Sequence, residues 1–135
     1  MKTTKYAAVA ATGLALIASA VATTPAAAEP SGRIVLTNTE NGRSVHAKIG
    51  DTIEVRLTGY RDSGVTYSWS IPQSAEPQVL HRVAGAAKPD GGASAVFHAE
   101  QEGTVTLSAA RACYPGAGHG CPHVVTPWKA TATVK

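Results

Sequence analysis

Charge is sparse in this 135-residue chain. Charged residues make up 16% of it and aromatic residues only 5%, and neither kind is clustered. Without a run of Lys or Arg there is no electrostatic handle for nucleic acid or an anionic membrane surface, so neither is expected as a partner. The G-x-S-x-G elbow of a serine nucleophile is absent. The five histidines and nine carboxylates are spread singly along the chain. An enzyme is therefore not expected, and neither is a cofactor or a metal. No long 3.6-residue apolar period follows the first thirty residues, which leaves no amphipathic helix to build on. The one apolar run, Ala7 to Val21, is too short and too rich in alanine for a membrane span of about 20 apolar residues.

That run has another meaning. It follows the basic start Met1-Lys2-Thr3-Thr4-Lys5 and precedes Ala26-Ala27-Ala28, small residues at the A-x-A spacing, ahead of Glu29. Basic, apolar and small-residue parts in this order compose a secretory signal. The expected organisation is a signal peptide over 1–28 and one secreted domain over 29–135, with no stable membrane association once the signal is removed. Those 107 residues suit a single domain. Taking away Lys2 and Lys5 leaves ten Lys and Arg against nine Asp and Glu, close to neutral.

The chain has two cysteines, Cys113 and Cys121. An even count in an exported chain reads as one disulfide. Closing so short a loop contributes about 2.5 kcal/mol in the chain-entropy account, so the bridge shapes a loop more than it holds a domain. The segment around it also offers zinc-ligand types, Cys113, His119, Cys121 and His123. Zinc modules bring paired ligands from two separated places, a spacing this segment lacks, and export favours the disulfide.

What the chain does have is alternation. Ile53, Val55 and Leu57 alternate with polar neighbours, as do Tyr67, Trp69 and Ile71, then Val105, Leu107 and Ala109, then Trp128, Ala130, Ala132 and Val134. A period of two marks strands with one buried and one wet face. Turn residues fall between them, at Asn41-Gly42, Gly50-Asp51, Asp62-Ser63-Gly64, Lys88 to Gly92, Glu102-Gly103 and Pro115 to Pro122. The expected fold is all-β, an immunoglobulin-like antiparallel β-sandwich of about seven or eight strands near 33–38, 43–49, 52–59, 66–71, 78–83, 93–99, 104–111 and 124–134. Trp69 is the expected core centre, with Tyr67 and Trp128 also facing inward. His46, His81 and His98 fall on strand positions, where exposure is the ordinary outcome.

Loops at one end of a sandwich are a common place for recognition. Three glycine-containing segments qualify: Asp62–Thr66 (Asp62, Ser63, Gly64, Val65, Thr66), Pro89–Ala93 and Arg111–Pro122. Glycine lets a backbone approach a partner closely. Tyr114 is the expected aromatic anchor in the third segment. The plain alternative is that all three are turns that join strands.

The order of these features resembles the chagasin-type inhibitors of cysteine peptidases, from about Ile34 to Val134. The run Ile49-Gly50-Asp51-Thr52-Ile53-Glu54-Val55-Arg56-Leu57, after Asn41-Gly42 and Val45, is similar to the family's opening strand pair. Tyr67-Ser68-Trp69 resembles the aromatic-x-Trp after its first binding loop. Gly91-Gly92 leading to Phe97, and Gly103-Thr104 leading through Leu107 to Arg111, resemble what surrounds the second and third. The loops themselves depart from the pattern. Asp62-Ser63-Gly64-Val65-Thr66-Tyr67 stands for Asn-Pro-Thr-Thr-Gly-aromatic. Pro89-Asp90-Gly91-Gly92 stands for Gly-x-Gly-Gly, and Arg111-Ala112-Cys113-Tyr114-Pro115 for Arg-Pro-Trp. The resemblance implies a secreted inhibitor of a papain-like cysteine peptidase. It implies that three loops enter the active-site cleft as a reversible wedge, with Gly91-Gly92 against the walls and Tyr114 in place of the family's Trp. The alternative function is a secreted binding module of the same fold, for a cell-wall glycan or a partner protein. Inward-facing Tyr67, Trp69 and Trp128 would leave such a glycan few exposed rings.

Overall fold

The computed structural model describes Gly13 and residues 32–135; the segment 1–28, expected to be a signal peptide, lies outside these except for Gly13. Ten strands form in chain order. They are β1 (Arg33–Leu36), β2 (Ser44–Ala47), β3 (Thr52–Leu57), β4 (Tyr60–Asp62), β5 (Val65–Trp69), β6 (Gln73–Ser74), β7 (Leu80–Ala87), β8 (Ala93–Ala99), β9 (Gly103–Pro115) and β10 (Thr126–Val134). A single 3₁₀ turn, Asn38–Glu40, joins β1 to β2.

The strands make two sheets. One runs β1-β3-β8-β7. The other runs β2-β10-β9-β5-β4, with the short β6 also paired to β9. Alternation does the building. Ile53, Val55 and Leu57 point inward from β3, and Ala93, Ala95, Phe97 and Ala99 from β8. Val105, Leu107 and Ala109 of β9 face Trp128, Ala130, Ala132 and Val134 of β10. These side chains form one core between the sheets. The sandwich is the architecture that the alternation implies, and most strand positions agree. Two pairings are parallel, β1 with β3 and β10 with β2, because each partner strand sits at a sheet edge and is reached by a long connection.

Several details correct the sequence reading. The first is the core centre. Trp128 is 1% exposed and is the largest fully buried side chain, followed by Phe97, whereas Trp69 is 7% exposed and caps the core at one end. Tyr67 shares the inward side of β5 but lies beyond the core and is only half-buried. Two strands escape the alternation argument, β4 and β6, because two or three residues are too few to show a period. β7 escapes it for another reason. Seven of its eight residues are exposed, so its inner and outer faces look alike in sequence.

Among the described residues one charge is buried. Glu54, on β3, forms ion pairs with Arg33 and Arg56. A carboxylate taken out of water needs such partners.

Candidate functional site

The three candidate segments gather at one end of the sandwich, at the C-terminal ends of β3 and β9. They do so through backbone contacts that can be followed residue by residue.

The first segment is a tight hairpin. Asp62 pairs with Val65, so Ser63 and Gly64 alone make the turn. Both have positive φ, 50° and 80°. That is the demand of a type I′ turn, whose twist matches the flanking strands. Val65, Thr66 and Tyr67 then pair with Pro115, Tyr114 and Cys113 of β9. The hairpin and the end of β9 therefore rise together. Among the five segment residues, Val65 is buried, Thr66 is half-buried, and Asp62, Ser63 and Gly64 are exposed at the tip.

The second segment, between β7 and β8, sits lower. The Gly91 carbonyl accepts a hydrogen bond from the Trp69 N–H at 2.8 Å. Gly91 has φ of 90°, and a side chain there would start 2.6 Å from the Tyr67 carbonyl oxygen. Asp90 closes the loop by accepting from the Gly92 N–H at 2.9 Å. Gly91 and Gly92 are both buried. Their close approach is thus to β5 of their own chain and to Gly59, where the chain crosses from β3 to β4. This corrects the expectation that Gly91-Gly92 lines a partner's walls. Only Lys88, Pro89 and Asp90 remain exposed there. From Tyr67 to the hairpin turn is three residues of extended chain, so the tip stands about 10 Å beyond this loop.

The third segment carries the disulfide. Cys113 and Cys121 are joined, with their Cα atoms 5.7 Å apart. The loop returns against the hairpin, where Gly116 N–H donates to the Gly64 carbonyl at 3.0 Å and the His119 ring packs on Gly64. Hairpin tip and disulfide loop form one projecting edge. Its outer side is apolar, with Tyr114 59% exposed, Val124 66% and Val125 59%. A cleft of about 530 Å³ runs between the end of β9 and Gly120 to Val125, bordered by Pro115 and Pro122. His123 is exposed in the same loop.

Arg111 occupies the base of this edge. Its guanidinium lies 5.2 Å from the Tyr60 ring centre, 5.6 Å from Tyr67 and 5.5 Å from Trp69. The two tyrosines stack at 4.5 Å. No carboxylate pairs with Arg111 among the described residues, and its one hydrogen bond is a long one, 3.4 Å, to the Thr126 hydroxyl. The ring faces hold the cation in place. Arg111 thus positions the aromatic base and does not stand at the tip, while Tyr114, three residues further along β9, is exposed to solvent.

Sequence reading missed Tyr60, Gly59 and the Val124-Val125 pair. Tyr60 was within reach. Taking Ser63-Gly64 as a two-residue turn sets Tyr60 opposite Tyr67 by counting outward. Gly59 gives no such signal, because its constraint is a contact with Gly91 over thirty residues away.

No protein-family model matches the sequence, and no curated protein does. Some solved structures resemble it. The cysteine protease inhibitor EhICP2 from Entamoeba histolytica matches with a TM-score of 0.54 at 11% identity, over 78% of this chain and 97% of that one. An inclusion body protein from Burkholderia cenocepacia matches with a TM-score of 0.49 at 14% identity, over 78% and 96% of the two chains. PbICP-C, solved in complex with falcipain-2, matches with a TM-score of 0.46 at 11% identity, over 78% and 91%. On the likeness to EhICP2, over nearly the whole of that inhibitor, this chain has the fold of the chagasin-type cysteine protease inhibitors.

Proposed function

We propose that this protein is a secreted inhibitor of papain-like cysteine peptidases that acts by reversible insertion of its loop end into the active-site cleft. The fold shared with an inhibitor from Entamoeba histolytica supports the class. The observation that carries the reading is the projecting edge, in which the Ser63-Gly64 turn is bonded to the disulfide loop and Tyr114, Val124 and Val125 stand exposed beside it. An apolar edge already held in shape loses little conformational freedom on binding. The wedge has two loops at its tip and the Pro89-Asp90 loop at its shoulder. No covalent step is required. The N-terminal signal pattern and the disulfide both support secretion.

The test is titration of several papain-like peptidases with the folded, secreted protein, beside a serine peptidase control. The expected result is reversible inhibition of the cysteine peptidases alone. Tyr114→Ala should weaken it about 30-fold, the loss of one hot-spot anchor of about 2 kcal/mol, with an unchanged melting temperature. Absence of inhibition at high micromolar protein would rule the function out. Full inhibition by Tyr114→Ala would move the contact surface elsewhere.

A further inference from the structure

β7 closes the sheet β1-β3-β8-β7 on one side, and nothing pairs with its outer edge. Its eight residues span about 26 Å. From His81 to Ala87 no backbone group bonds outside the β8 ladder among the described residues. An open edge of this length is normally shortened, covered, bulged, given an inward-pointing charge, or studded with Lys or Pro. β7 reads Leu-His-Arg-Val-Ala-Gly-Ala-Ala: it carries neither Lys nor Pro, and what it has instead is a bulge at Val83, the inward-facing Arg82 and the short β6 segment packed beside it. Its one full charge, Arg82, turns away from the edge and donates to the Pro72 carbonyl at 3.0 Å.

The strand is complementary to itself, and its bulge is the reason. Leu80 and Arg82 lie opposite Ala99 and Phe97, on the inner face; His81 lies opposite His98, on the outer. The register slips by one residue at Val83. Past the slip Gly85 and Ala87 take the inner face, opposite Ala95 and Ala93, and Ala84 and Ala86 the outer. In a regular strand, a twofold axis between two neighbouring residues sets inner-face positions against outer-face ones. The extra residue at Val83 cancels that mismatch. An axis between Val83 and Ala84 then sets Arg82 against Gly85, His81 against Ala86 and Leu80 against Ala87, each pair on one face. Every long side chain meets a small one, and no like charges face each other.

We propose that the protein forms a twofold dimer by antiparallel pairing of β7 with β7 of a second copy, which joins two four-stranded sheets into one of eight. Antiparallel pairing reverses the second copy. The two loop ends therefore point in opposite directions, and each stays free. The proposal stands whether or not those ends bind a peptidase.

Sedimentation equilibrium of the secreted protein over a wide concentration range tests it. The expected result is a monomer–dimer equilibrium. Ala84→Lys, exposed and next to the axis, brings two like charges together and should weaken the dimer about tenfold or more, with an unchanged melting temperature. His46→Lys, exposed on β2 in the other sheet, should leave it intact. A monomer at every concentration overturns the proposal. So does a dimer that survives Ala84→Lys, or one that is weakened as much by the His46 control. In either of those outcomes the contact lies away from β7.

Discussion

The two tryptophans stand two steps apart along β9, Trp128 opposite Ala109 and Trp69 opposite Arg111. That is about 7 Å of strand. Each donates its indole N–H to a backbone carbonyl at 3.0 Å, Trp128 to Thr37 and Trp69 to Thr58. Their surroundings differ. Trp128 lies between the sheets and is 1% exposed; Trp69 lies at the rim, with the Arg111 guanidinium over its ring and its backbone N–H donating to the Gly91 carbonyl. One indole fastens the sheets together. The other fastens the loops to the sheets. Core and candidate site are adjacent layers of one structure, and β9 passes from the first to the second within two residues.

Removing each indole in turn should pull the layers apart. Trp128→Ala should cost about 3–5 kcal/mol, a large part of a domain's stability, and should lower the urea midpoint accordingly. Any peptidase inhibition should persist under conditions where the variant is still folded. Trp69→Ala should cost about 3 kcal/mol, at the low end of that range because its ring borders solvent. It should also weaken inhibition in folded protein, since Arg111 loses one of its three ring faces and the Thr58 carbonyl loses its indole donor. If the two variants lose stability and inhibition in the same proportion, the distinction between the layers fails.

A smaller effect sharpens the comparison by pH. Both indole anchors rest on one turn. Asn38 accepts from the Thr58 N–H at 2.8 Å and donates to the Thr58 carbonyl, while Glu40 accepts from the N–H of Thr37 at 2.7 Å. The Thr37 hydroxyl bonded to Glu40, then the Thr37 N–H and the Thr39 hydroxyl, lower the Glu40 carboxyl from 4.5 to about 2. A lowered carboxyl adds stability that is complete above its unfolded value and is lost as pH falls through the folded one. Asp51, lowered by the N–H groups of Lys48 and Gly32, acts with the same sign. Thermal melts should therefore show wild type above Glu40→Gln at pH 7, with the gap narrowing from pH 4.5 towards 2. A constant gap would mean that the carboxylate charge has no part in holding the turn.

Much of the sandwich was legible because alternation is a local property. Ile53-Val55-Leu57 and Trp128-Ala130-Ala132-Val134 state their buried faces in the chain itself, and the Cys113–Cys121 pairing follows from there being just two cysteines in the chain. The site was legible as segments and less so as an arrangement. Asp62–Thr66 and Arg111–Pro122 do converge, and Tyr114 is exposed. Gly91 and Gly92 sit in the right loop, but they serve a contact inside the molecule. A glycine required by a partner and a glycine required by a neighbouring strand look the same in sequence, because both requirements amount to the absence of a side chain.

The sequence by itself determined the strands with a wet and a dry face, the turns between them and the residues able to cross-link a loop, since each depends on neighbours within a few positions. The tertiary structure alone decided which tryptophan is the core, that Arg111 faces three rings from β4 and β5, and that the loops are stepped. It also decided that β7, alike on both faces, ends a sheet with its outer edge unpaired. Those facts depend on distances between residues thirty or more apart in the chain, which burial of the shared core sets.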